Sequence, residues 1–282
     1  MFHYDPVRPF DDRPSDYLET GHFWLREFVT GGVFAFTMES SGLLSMRGPT
    51  GEFETEAPWP YQRAVEAIRD RFERDRFRTE VDSVSDYDFF VLAPLSLGVG
   101  YDWTEIPPVF GLAIWDDSAN SFVSIDVAER VFEAVGLWTI PTVDREVPAR
   151  ELGAGPELIP KSAFADRSAA GIVVLKKGGV AVSIQGSDFD SVTRVPPTPA
   201  GSPDDFESWL QETVRSDSVA PLLSEPDRPI DAWAIESLAT DVSAELARRE
   251  FDTIGALAQS RPEQFRKGIS DRLVELREFS AT

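Results

Sequence analysis

The run from His22 to Phe36 constrains this chain more than any other stretch. A strand-like segment, residues 22–27, leads to Gly31-Gly32, and a second apolar strand, residues 33–36, follows. That pattern predicts a hairpin with a Gly-Gly turn, and it sets the side chain of Phe28 at the mouth of a pocket. Residues 43–46 read as a strand that continues the hairpin.

Residues 61–77 read as one helix, with Tyr61, Ala64, Val65, Ile68 and Phe72 on one face. The other face carries Arg63, Arg69, Arg71, Arg74, Arg76 and Arg78. Arg69 and Glu73, like Asp70 and Arg74, stand four apart, which favours a solvated face of paired charges over a phosphate-binding one. Residues 89–92 and 109–115 are apolar runs of strand length. Asp126 and Glu129 have capping-box spacing, ahead of a helical stripe of Ala128, Val131, Phe132 and Val135 that ends at Gly136. Residues 169–175 read as a buried strand, Lys176-Lys177-Gly178-Gly179 as a tight turn, and residues 180–184 as the returning strand. The fold class expected is therefore α+β with mostly antiparallel sheets. The domain at residues 1–193 is followed by a Pro-rich linker, 194–203, and a helical C-terminal region, 204–282. Helices are expected at 204–215, 230–249 and 262–279, the last opened by a Ser260–Glu263 capping box with Pro262 in its first turn.

Cysteine is absent, which removes disulfides, thiolate chemistry and Cys-type zinc sites. His22 and His3 are the only histidines, too few for a histidine metal cluster or a triad. The 49 acidic residues outnumber the 27 basic ones and are dispersed along the chain, while lysine occurs only at 161, 176, 177 and 267. This pattern resembles salt-in halophilic proteins, archaeal ones included, in which molar salt screens self-repulsion. In such salt a net charge of −22 leaves a nucleic-acid ligand open. No run long and apolar enough for a membrane span and no secretory leader are seen, so a cytoplasmic protein without a membrane partner is expected.

Several segments carry a family pattern. Glu27-Phe28-Val29-Thr30-Gly31-Gly32 is followed by Asp88-Phe89-Phe90-Val91-Leu92 and by the strand from Pro108 through Leu112-Ala113-Ile114 to Asp116. Gly136-Leu137-Trp138-Thr139-Ile140-Pro141 and Ala170-Gly171-Ile172-Val173-Val174-Leu175 come next, then residues 180–189. In this order they resemble the ATP-dependent RNA ligases, a family of covalent nucleotidyltransferases, over residues 20–190. The resemblance implies a cleft in which a lysine attacks the α-phosphate of ATP, carboxylates hold magnesium, further lysines neutralise phosphates and an aromatic ring stacks on adenine.

At the matching positions that chemistry is missing. Phe28 stands for the nucleophilic lysine and Thr30, beside Gly31, for the adjacent aspartate. Leu92 or Ala93 replaces a carboxylate, Leu112 the stacking ring and Ala113 an aspartate. Ala170, beside Gly171, replaces a glutamate, Leu175 an arginine, and Ala181-Val182-Ser183 the final Lys-x-Lys. A phenyl ring cannot form a phosphoramidate, so no catalytic residue, metal or cofactor is expected. Glu27 also matches a family position and, if buried, needs Arg26 or a backbone amide as partner. Lys176 and Lys177 are candidate phosphate contacts or exposed turn residues. Asp102, Asp116 and Asp117 read as turn residues. Tyr101, Trp103 and Trp115 read as aromatic core or base-stacking groups.

Three readings follow. The leading one is a pseudoenzyme that binds RNA, another nucleic acid, a nucleotide or a protein partner through the old cleft. The second is a working ligase with ATP, magnesium and an unorthodox lysine, Lys177 or Lys176. The third is an interaction protein whose cleft is filled by Phe28, Leu92, Leu112 and Ala170.

Overall fold

The computed structural model describes residues 7–49, 51–53, 57–153, 155–176, 181–186, 205–215, 218–219, 222 and 234–280. Strands β1 (Arg8–Pro9), β2 (His22–Glu27), β3 (Gly31–Met38), β4 (Leu44–Gly48) and β5 (Gly51–Glu52) come first. Helices α1 (Gln62–Arg71) and α2 (Arg74–Glu80) precede β6 (Tyr87–Pro94), β7 (Phe110–Asp116) and β8 (Ser121–Phe122). Helix α3 (Ile125–Ala134) leads to β9 (Thr142–Pro148), β10 (Gly171–Lys176) and β11 (Ala181–Gln185). Among the described residues beyond β11 are four α-helices: α4 (Phe206–Thr213), α5 (Ile235–Arg249), α6 (Phe251–Ser260) and α7 (Pro262–Ser280).

The strands form two sheets, ordered β1-β11-β10-β2-β9 and β5-β4-β3-β6-β7-β8. Among the described strands every pairing is antiparallel except that of β1 with β11. The α+β class with antiparallel sheets is thus observed. Helices α1 to α3 cover one face of the second sheet over a phenylalanine-rich core that includes Phe34, Phe36, Phe72, Phe89 and Phe132.

The Gly-Gly turn is not there. β2 and β3 lie in different sheets, so residues 28–30 cross from one sheet to the other instead of closing a hairpin. Gly31 and Gly32 already belong to β3, opposite Pro94 and Ala93. A β-carbon on Gly31 would lie 2.2 Å from the carbonyl oxygen of Ala93, and one on Gly32 would lie 2.7 Å from the Tyr61 ring. The pair answers a close approach of backbone and ring.

The helix expected at 61–77 is broken as well. Phe72 takes an extended conformation between α1 and α2. Its ring enters the core against Phe36, Phe77 and Phe89, and the Glu73 amide donates to the carbonyl of Val135. Burial of Phe72 prevails over continued helix. The expected four-apart pairing of Arg74 gives way to hydrogen bonds from its guanidinium to the carbonyls of Arg69 and Phe72.

Neither expected capping box forms. Ser124 precedes α3 without a side-chain cap, and Glu129 turns inward. Ser260 closes α6, a helix not foreseen, by donating to the carbonyl of Ala256. The helical region packs on the body: Arg63 of α1 lies 3.3 Å from both Asp241 and Glu245 of α5. Trp59 meets Phe265 of α7 edge to face at 4.4 Å. The linker expected at 194–203 lies outside the described residues. No described helix is long and apolar enough to cross a membrane.

Candidate functional site

The crossing at residues 27–30 places the family-pattern positions where the two sheets converge. The Phe28 amide donates to the carbonyl of Gly171 (3.0 Å), tying the crossing to the start of β10. On the other side the amide of Leu95, just past β6, donates to the carbonyl of Thr30 (3.0 Å). The Thr30 hydroxyl donates to the carbonyl of Leu95 (2.7 Å), and its amide donates to the Tyr101 hydroxyl (3.1 Å). Thr30 therefore spends its polar groups on holding the two strands together.

Phe28, Leu92, Leu112 and Ala170 converge in one apolar cluster. Around them pack Val29, Val33, Phe110, Ile140, Trp138 and Phe164, joined by Val99, Tyr101, Trp103 and Ile106 from the segment between β6 and β7. Phe28 is half-buried, while Leu92, Phe110 and Ala170 are buried. Ala113 pairs with Phe90 in the sheet and stands outside this cluster; Gly31 pairs with Pro94. Tyr101 and Trp103 are aromatic core, as one of the two readings had it, with rings edge to face at 5.6 Å. Burial pushes the Tyr101 phenol above its ordinary range. Asp102 and Asp116 bond to local Thr104, Ser118 and Ala119 groups, as turn residues do.

Glu27 is the one carboxylate among the positions at which the resemblance expects chemistry, and it is 1% exposed. It accepts from the Ser162 hydroxyl (2.6 Å) and the Ala163 amide (2.9 Å). A backbone amide was one of its expected partners; the other, Arg26, pairs instead with Glu129. Burial raises the Glu27 carboxyl above the ordinary carboxylate range, and the Ser162 and Ala163 bonds offset part of that. The folded state then holds the proton more tightly than the unfolded chain, so stability falls as pH rises from the ordinary range through the raised value. Glutamine removes the charge; its Oε1 can accept from the Ala163 amide, while its NH2 can only donate to the Ser162 oxygen, so that bond reverses direction. Glu27→Gln should therefore gain up to about 1 kcal/mol near neutrality, measured by urea unfolding. The gain should vanish in acid, where Glu27 is protonated in both states; an equal gain at both pH values would contradict this.

Lys176 does not reach the cleft. It ends β10, five residues and about 17 Å of strand from Gly171. Its ammonium donates to the Tyr17 carbonyl (3.2 Å) and lies 5.7 Å and 6.0 Å from the Tyr17 and Phe23 rings. Lys177 lies outside the described residues. Magnesium does not fit this donor set, because Leu92, Ala113 and Ala170 offer no oxygen side chain and Glu27 is committed to Ser162 and Ala163. Among the described residues no group of three or more His, Asp or Glu could hold a metal.

Sequence reasoning missed Phe110, Ile140 and Phe164 as members of the cluster, and Ser162 with Ala163 as the partners of Glu27. They lie in irregular segments or at a strand start, where no periodic signal marks which way a side chain points.

The arrangement of two sheets meeting at this crossing, with helices outside the second, is similar in fold to solved RNA ligase structures. The RNA ligase of Naegleria gruberi with pyrophosphate superposes with a TM-score of 0.50 at 11% identity, covering 67% of this chain and 57% of that one. A variant of the same ligase with ATP and manganese gives 0.50 at 11% identity, with 67% and 56% covered. The chain thus spans a little over half the length of these neighbours. No family model and no curated protein matches the sequence.

Proposed function

We propose that this is a ligase-fold protein without ligase chemistry, an interaction protein whose own side chains occupy the former nucleotide cleft. The observation that carries the reading is the convergence of Phe28, Leu92, Leu112 and Ala170 in one apolar cluster, sealed by Tyr101, Phe110 and Phe164. Each of the four stands where the resemblance expects a nucleophile, a metal ligand or a stacking group. An adenine and a triphosphate would have to displace packed apolar side chains, and phosphates buried among those side chains would carry a desolvation cost. That weighs against binding of a nucleotide or nucleic acid through the cleft, and leaves a protein partner as the proposed ligand class. The dispersed acidic excess supports a halophilic, archaeal and cytoplasmic setting.

Incubation with ATP and magnesium in high salt, read by intact mass, tests the chemistry. No AMP adduct is expected. An adduct that disappears in Lys177→Ala or Lys176→Ala would establish the working-ligase reading instead.

A further inference from the structure

The segment that fills the cleft is fastened to the C-terminal helices chiefly through one residue. Residues 96–109 run across the junction of the sheets with no regular secondary structure. They send Val99, Tyr101 and Ile106 inward while Asp102, Thr104 and Glu105 face solvent. The Ser96 amide donates to the carbonyl of Arg248 (2.8 Å) at the end of α5. The Arg248 guanidinium donates to the carbonyl of Ile106 (2.6 Å) and stands 5.0 Å from the centre of the Trp103 ring. One arginine thus grips the start, the middle and the far end of the segment. Asp252 of α6 adds a second hold by accepting from the Ser96 hydroxyl (3.0 Å).

We infer that residues 96–109 form a strap over the cleft and that Arg248 is its latch, so that movement of α5 and α6 uncovers the apolar cluster. The inference deepens the reading of a self-occupied cleft and rests on it. Two features suit the strap to local opening. Gly98 has φ of +80° and is exposed, as is Gly100, which gives a joint beside the first anchor. The latch is also a buried cation. Arg248 is 4% exposed, its Nε has no hydrogen-bond partner among the described residues, and its salt bridge is to Glu245 at 3.3 Å. Desolvation lowers the guanidinium pKa to about 10, which leaves it charged near neutrality. Between its anchors the strap is tied to the body by the Asp102 amide, which donates to the Phe164 carbonyl (2.7 Å), and by the Thr30 amide on Tyr101.

The chain has no cysteine, so a single introduced thiol reports one place only. Val99→Cys places it under the strap, at a site 3% exposed, and Ile172→Cys places a control in the centre of the first sheet, at a site 0% exposed. In the full chain both thiols should react slowly with a maleimide. Adding Arg248→Ala should speed labelling at position 99 at least about tenfold and leave position 172 slow, the mark of local opening. Asp252→Ala, a milder change, should act in the same direction and more weakly. Unchanged labelling at position 99 in both variants, or equal acceleration at both sites in both variants, would overturn the latch. An AMP adduct would sink the non-ligase reading without altering this comparison, so the two fail separately.

Discussion

Glu129→Ala should lower the unfolding free energy by about 3–5 kcal/mol in urea titration, the loss typical of one partner removed from a buried ion pair. The carboxylate is 5% exposed and serves three groups. It lies 2.9 Å from the guanidinium of Arg26 on β2, 2.9 Å from that of Arg145 on β9, and accepts from the Thr142 hydroxyl at 2.9 Å. Arg26 is itself 3% exposed, so truncating Glu129 strands a buried cation without its carboxylate. Arg145 is largely exposed and screened, and Arg145→Ala should cost less than about 1 kcal/mol. A loss below about 1 kcal/mol for Glu129→Ala would mean that water reaches Arg26 freely.

Glu245→Ala should produce a second loss of about 3–5 kcal/mol, for a different reason. Glu245 is 3% exposed and draws in three guanidinium groups, those of Arg63 (3.3 Å), Arg248 (3.3 Å) and Arg249 (2.6 Å). It is the electrostatic centre of the seam between α1 and α5. Its removal leaves three positive groups close together, one of them the strap latch, and mutual repulsion adds to lost attraction. The Arg249 side chain is more exposed than that of Arg248, and its loss leaves Glu245 two other cations, so Arg249→Ala should cost clearly less. Losses of equal size in Glu245→Ala and Arg249→Ala would show that the seam is an ordinary surface network.

Neither carboxylate was legible in the sequence as what it is. Glu129 follows Asp126 by three residues, which is capping-box spacing, yet its main partner lies 103 residues away on β2. Glu245 sits within a helix that the apolar pattern identified, but nothing local says that three arginines gather around it. The fold class, the strand at residues 22–27, α3 and much of α5 and α7 were legible, because period and flanking residues decide them. The Gly31-Gly32 pair misled because a glycine needed for close approach looks, in sequence, like one needed for a turn. Phe72 broke a helix without a proline or glycine to announce it, since the cause is a cluster of rings from β3, α2 and β6. In the candidate site, the family positions at 28, 92, 112 and 170 could be named from motif order. That they pack together, and that residues 99, 101 and 106 finish the filling, required the two sheets to be seen meeting.

The central claim, that the cleft is occupied by the protein's own side chains, is tested most directly by the melting temperature at high salt with ATP and magnesium and with a single-stranded RNA. The account predicts no change with either ligand up to millimolar ATP. A ligand present at 100 times its Kd would stabilise the fold by about 2.7 kcal/mol, a shift of several degrees. A saturable rise of that size with ATP, abolished when Phe28 is enlarged to tryptophan, would contradict the account.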